Sequence, residues 1–208
     1  MFNIIDIDNI INNLIIRGGN NMKVKVGVSG RHIHLTKETL EKLYGKGKTL
    51  EKLRSISQPN QYQSTDRLMI KTDKSSFESV SILGPLRDFN QIEISITDAI
   101  KLGISPPIRL SGNVKTSSLI TLIGPKEQIT IEGCIIAKRH IHMPFAIAKK
   151  YDFYNGQIVK VKVDGIRSGI MDNVEIRVGD YVLELHIDTD EANGFNLKNN
   201  DEVEIIKE

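Results

Sequence analysis

All five histidines of this 208-residue chain fall in three short segments: His32 and His34 in SGRHIHL, His140 and His142 in AKRHIHM, and His186 in LELHIDTD. In an extended strand, residues i and i+2 project to the same face. Each His-x-His can therefore present two imidazoles to one ion, while Ile33 and Ile141 turn to the opposite, core face. A single such pair is most often a solvated or hydrogen-bonded one. Two copies of Arg-His-Ile-His, about a hundred residues apart, point instead to a metal centre assembled from distant strands.

Further chemistry-bearing residues lie on alternating segments. In Gln91-Ile92-Glu93-Ile94-Ser95-Ile96 the polar residues share one face, which in an ordinary alternating strand is simply solvated. Arg87, on the GPLR turn just before, opens a second reading. Glu93 would be a metal carboxylate, and Arg87 a guanidinium whose planar fork grips an anion and never loses its charge. In LELHIDTDEAN, Glu184, His186 and Asp188 share a face. His186 as a third imidazole would give three protein ligands with a fourth position open, as in catalytic zinc sites. Asp188, Asp190 and Glu191 could orient a ligating imidazole or cap a helical turn, and capping is the expected role. Arg177 shares a face with Glu175 and Asn173, where pairing with a carboxylate is the ordinary explanation. Ser29 in SGR and Ser111 in LSGN occupy small polar turns whose backbone N–H groups could hold an anion, although turns alone also favour serine. Cys134 shares strand parity with His140 and His142 if GCIIAKRHIHM runs unbroken. A buried, inert thiol is the expectation, because no charged neighbour in sequence would lower its pKa.

The elements that must position these residues are mostly strands. KVKVGVSG reads as a strand, and Thr36–Tyr44 as a short helix with Thr36 as N-cap and Gly45 at its end. Strands are predicted at 67–72, 79–84, 91–96, 108–111, 119–124, 129–131, 157–164, 174–178, 181–187 and 202–207, with a second short helix over 144–151. TDAIKLGISPPIRLSG, AIAKKYDFYNGQIVKVKVDG and DEANGFNLKNNDEVEIIKE each pass from a helical turn through a polar turn into a strand, which suggests a repeated unit. The expected fold is mainly β: two small related β-barrel domains with short helices, one Arg-His-Ile-His in each, and the site where they meet. The boundaries are 22–137 and 138–208, with strand 22–30 free to pack with the second barrel. Residues 1–21 form a separate extension in which Ile4, Ile7, Ile11, Leu14 and Ile15 make a helical stripe before Gly18-Gly19. It lacks the features of a secretory signal, and reads either as an ordinary core helix or as a docking peptide.

Composition narrows the classes. With 28 Lys+Arg against 26 Asp+Glu, net charge +2 and no tryptophan, nothing pulls the chain toward nucleic acid or supplies base stacking. The apolar runs are too short for a membrane span, and one cysteine suits a reducing, cytoplasmic compartment.

SGRHIHL, GPLRDFNQIEIS with TDA, RLSG, AKRHIHM, DNVEIRV and LHIDTDEAN, taken in order over residues 22–207, resemble the blocks of the PduL-type phosphate acyltransferases, the phosphate propanoyltransferase family of bacterial microcompartments that degrade propanediol. The resemblance implies two zinc ions between two barrels. His32, His34 and Glu93 would hold one, together with the sulfur of coenzyme A. His140, His142 and His186 would hold the other, with water or a phosphate oxygen. Arg87 would grip phosphate beside Ser111, and Ser29, Gln58, Gln61, Gln91 and Arg177 would line the same pocket. It further implies transfer of a propanoyl or acetyl group between coenzyme A and inorganic phosphate, a homodimer, and docking of residues 1–20 to a microcompartment shell. Glycine precedes the first Arg-His-Ile-His where some members carry asparagine, and Ile92 stands where valine is common; neither touches a proposed ligand.

Two rival functions use the same residues. A zinc-dependent thioester or ester hydrolase would generate hydroxide at the three-histidine site, although water needs no arginine clamp. A non-catalytic, shell-associated protein would use zinc only to bridge its barrels. That predicts closed four-ligand sites, whereas five histidines plus Glu93 leave each site one ligand short.

Overall fold

A computed structural model of the chain describes residues 22–207. The amphipathic stripe read in the N-terminal extension lies outside these residues. Two six-stranded rings organise the described chain. The first runs β4 (Tyr62–Lys71), β5 (Ser76–Gly84), β2 (His32–His34), β6 (Gln91–Glu93), β9 (Gln128–Ala137) and β8 (Ser118–Ile123), which returns to β4. Strand β3 (Lys52–Ser55) adds to β4, and β7 (Ile108–Arg109) to β9. The second closes as β1 (Met22–Ser29), β13 (Glu184–Asp188), β10 (His140–Pro144), β12 (Gly169–Gly179), β11 (Ile158–Val163) and β14 (Glu202–Ile206). Closure pairs the strand edges that an open sheet would expose. Alternate residues of each ring point inward into a separate core. Ile33, Ile82, Ile92 and Leu122 pack in the first, and Val26, Ile141, Val161 and Leu185 in the second. Ile33 and Ile141, the residues between the paired histidines, are fully buried. Burying such a side chain contributes about 1.5–3 kcal/mol, so the cores themselves turn the imidazoles outward.

The rings are joined by an exchange of strands. Strand β1 completes the second barrel, after which Gly30 and Arg31 carry the chain into β2 of the first; β9 completes the first, after which Lys138 and Arg139 lead into β10 of the second. Each His-x-His strand thus begins two residues after the chain has left the other barrel, which puts both motifs at the junction. Arg31 makes two bonds to Asp98 (2.9 and 2.6 Å), and Arg139 pairs with Glu191 (2.6 Å). These anchor the crossing segments to helices α2 (Ile96–Leu102) and α4 (Thr189–Phe195). The two helix starts also meet, with Thr97 N–H donating to Asp190 Oδ2 at 2.7 Å.

Local chemistry explains where the elements agree with the sequence reading and where they depart from it. Helix α1 (Lys37–Tyr44) starts at the predicted cap Thr36 and ends at Gly45. Helix α3 (Phe145–Tyr151) follows Pro144. Asp188 caps α4 in a reciprocal arrangement with Glu191, the capping role expected for it. The strand predicted over 91–96 ends at Glu93. Ser95 does not share the Gln91–Glu93 face; it caps α2, accepting from Asp98 N at 3.2 Å, and Ile96 is 48% exposed. A Ser N-cap with an acidic residue in the first turn outcompetes the alternation. Strand β3 went unread because its four residues are all exposed and carry no alternation. Strand β9 continues well beyond the predicted 129–131, but it stops before Lys138. Cys134 therefore shares no strand with His140; it sits in the first core, where burial pushes its thiol up to about 12. None of the described helices is long and apolar enough to cross a membrane.

Candidate metal and anion site

The ladders assemble two matching triads. On the first barrel His32 lies opposite Glu93 and His34 opposite Gln91; on the second His140 lies opposite His186 and His142 opposite Glu184. His32, His34 and Glu93 bring one ligand atom each within 4.8 Å of one another, and so do His140, His142 and His186. Either group could hold a metal ion. His32 donates from Nδ1 to the Gly30 carbonyl (2.9 Å), and His140 likewise to Lys138 (2.8 Å). A carbonyl only accepts, so Nδ1 of each ring carries a proton. The Nε2 lone pair of His140 is left for an ion, while His32 Nε2 faces Glu93 Oε2 at 3.4 Å. His34 Nδ1 and both ring nitrogens of His142 are buried with no hydrogen-bond partner. Buried polar atoms are almost always partnered, and a divalent cation is the partner that unprotonated imidazoles take. The donor set therefore fits a metal.

Electrostatics separates the triads. Burial, then the neighbouring imidazole of His186, lowers His140 to about 4; the same causes, with His140 added, take His142 to about 2. His34 is likewise held well below the ordinary range, by burial and then by His32. These rings are neutral at neutral pH, the state that ligates. In the first triad burial opposes charging of His32, but the Glu93 carboxylate outweighs it and raises the pKa. Burial would raise Glu93 too, yet His32 and then His34 hold it well below the usual carboxylate range.

A cleft of about 370 Å³ opens onto both triads and is lined also by Ser29, Gln58, Gln61, Arg87, Ser111 and Arg177. Arg87 donates to Ser111 Oγ at 2.9 Å, and its own N–H is tied to the Leu35 carbonyl at 2.9 Å, which fixes the turn. Burial lowers the Arg87 pKa, Glu93 counteracts this, and the positive charge of Arg177 adds to the lowering. Arg177, opposite His142 in the ladder, lines the cleft. Gln91 is fully buried beneath the cleft floor and bonds Ser111 Oγ (2.8 Å) and Glu93 Oε1 (2.5 Å). Gln58 is buried and pairs with the Val182 main chain, donating at 3.3 Å and accepting at 3.2 Å, which ties the first barrel to the second.

Three participants escaped the sequence reading. Tyr181 stacks on His142 with centroids 4.0 Å apart. Gly179 makes room for it, since a Cβ there would stand 2.5 Å from the Tyr181 ring. Ser57 bonds Glu184 Oε2 at 2.5 Å. Glu184 was placed on the right face but given no role, and it contacts His186 at 2.8 Å. The glycine inside the alternating KVKVGVS strand was the available signal for Glu184, because Gly27 faces that carboxylate.

Two strand-exchanged barrels turn matched triads, each of which could hold a metal ion, toward a cleft lined by Arg87 and Arg177. The chain belongs to the phosphate propanoyltransferase family, a family of acyltransferases, whose model matches residues 25–198. A phosphate propanoyltransferase of Lachnoclostridium phytofermentans is 47% identical over 183 residues, covering 86% of this chain and 85% of the relative. One of Thermotoga maritima is 46% identical over 185 residues, 88% of each chain. One of Clostridioides difficile is 38% identical over 203 residues, 97% of each chain.

Proposed function

We propose that this protein transfers a short acyl group, propanoyl or acetyl, between coenzyme A and inorganic phosphate, using zinc ions held by His32, His34 and Glu93 and by His140, His142 and His186. The observation that carries the reading is the convergence of Arg87 and Arg177 on the cleft that both triads face. Two guanidiniums in a partly buried space favour an anion, and a reaction with water needs none.

In this reading phosphate is held by Arg87 and the Ser111 hydroxyl, with Arg177 supplying further positive charge from the other barrel. Held and aligned, one phosphate oxygen forms a bond to the thioester carbonyl carbon while the carbon–sulfur bond breaks and the coenzyme A thiolate leaves. When bound, the metal ions supply Lewis-acid stabilisation of the negative charge that develops on the carbonyl oxygen and the departing sulfur. Glu93 keeps His32 oriented, and Gln58 holds the two barrels at the spacing the cleft requires. No protein nucleophile is needed. Cys134 is buried in the first core with its pKa at about 12, which supports direct displacement through a ternary complex.

The two barrels are proposed as the domains, with β1 assigned to the second, and residues 1–20 as a segment that docks to a microcompartment shell in the cytoplasm of a homodimeric enzyme. Deleting residues 1–20 is expected to leave activity intact and abolish co-purification with shells.

The test is thiol release from acetyl- and propanoyl-coenzyme A. Release that depends on phosphate, with intersecting initial-rate lines, is expected. Release without phosphate would make the protein a hydrolase, and bound metal with no release would make it a zinc-bridged assembly protein. Parallel rate lines would restore a covalent route.

A further inference from the structure

We propose that Glu184 is a positioning residue for the second triad, one that fixes the ring orientation and proton placement of His186. The inference rests on reading the triads as metal sites.

The argument begins with register. Gln91 lies opposite His34, and Glu184 opposite His142. Each stands two residues before the third member of its triad, Glu93 or His186, and so on the same strand face. In both barrels the pair is bonded: Gln91 Nε2 donates to Glu93 Oε1 at 2.5 Å, and His186 Nε2 lies 2.8 Å from Glu184 Oε2. The chemistry has been exchanged to match. A carboxylate ligand is given an amide donor, and an imidazole ligand is given a carboxylate acceptor.

The Glu184 side chain is only 10% exposed. Its Oε2 also accepts from Ser57 Oγ (2.5 Å) and Gln58 Nε2 (3.0 Å), both from the β3–β4 connection of the first barrel. Every contact is a donor, as an ionised carboxylate requires. One barrel thus aims the residue that aims a ligand of the other. Gly27, the β1 partner of His186, leaves the space, because a Cβ at that position would stand 2.8 Å from Glu184 Cδ. His186 Nε2 also lies 3.3 Å from Gln58 Nε2, but the two amide hydrogens of Gln58 go to the Val182 carbonyl and Glu184 Oε2. His186 Nε2–H is therefore the donor to Glu184, and the Nδ1 lone pair of the ring is left for an ion shared with His140 and His142. Acceptance of that proton by a carboxylate also makes the ring a stronger ligand.

The experiment is a metal titration of the full chain after chelation, with Co(II) absorption and Zn(II) competition resolving the two ions, alongside thermal unfolding of the metal-free protein. Glu184→Gln preserves shape and removes charge. It is expected to weaken one of the two ions by roughly 10–100-fold and leave the other unchanged. Gly27→Ala leaves Glu184 in the chain but displaces its carboxylate, and should weaken the same ion; Gln91→Ala should weaken the other one. Two wild-type affinities in both Glu184→Gln and Gly27→Ala would overturn the inference. So would a lower unfolding temperature of the metal-free variants with unchanged affinities, which is what a merely structural Glu184 would give. A wild-type chain that takes up no ion would instead overturn the metal reading, and the inference with it.

Discussion

The two barrels present the same strand, in the same register, to the same junction, yet their triads differ at one position: Glu93 on the first barrel stands where His186 stands on the second. The first triad carries a negative charge that raises the pKa of His32, whereas the second is all imidazole, with His140 at about 4 and His142 at about 2. A divalent ion would retain its full charge in the second triad and lose one unit in the first. With ions bound, the two triads would therefore be metal environments of different charge, and the more positive one would lie against Arg177, where an oxyanion would gain most. A single ligand exchange accomplishes this while the barrel cores keep their pattern, because the exchange occurs on the face that points away from them.

That comparison can be broken or sharpened by substitution. The largest effect is expected from removing an imidazole. His34→Ala and His142→Ala should each lose one ion, by elemental analysis, and lower phosphate-dependent thiol release by roughly 10²–10⁴-fold. A variant that loses activity while keeping both ions would show that the triad does not hold them. Glu93→His makes the triads alike; it should retain metal and cost about 10²-fold in kcat, because charge and placement change together. An unchanged kcat would mean that the difference between the triads is incidental.

Arg87→Ala removes a charge-assisted contact worth about 1.5–3 kcal/mol. The KM for phosphate should rise by roughly 10–100-fold, while that for acyl-coenzyme A stays within about twofold. Comparing it with Arg177→Ala under the same saturation kinetics would show whether one barrel or both hold the anion. The smallest expected signal comes from Cys134, which is fully buried and whose thiol is pushed up to about 12 by that burial. Thiol reagents should label it only after denaturation, and fast labelling of the native protein would reopen a role for it.

Much of this was legible along the chain, and the reason is local. Strand periodicity places Ile33 and Ile141 in cores and the histidines opposite them, and Thr36, Gly45 and Asp188 act as caps through contacts with residues three or four positions away. The failures are equally local in origin. Gln91–Ile96 alternates as a strand would, and only the capping bond of Ser95 to Asp98 shows that it stops at Glu93. Strand β3 is exposed throughout, Leu53 included, and pairs with β4.

The amino-acid sequence by itself determined which residues could ligate metal, which face each would occupy, and that two similar units share the chain, because side-chain chemistry and period-two geometry belong to neighbouring residues. Only the tertiary structure decided that β1 and β9 cross between barrels, that Glu93 and His186 occupy matching rungs, and that Ser57 and Gln58 of one barrel reach Glu184 of the other. The Ser57–Glu184 contact alone joins residues 127 positions apart. Strand pairing over such separations is selected by the joint packing of two cores, a property that no short stretch of chain possesses.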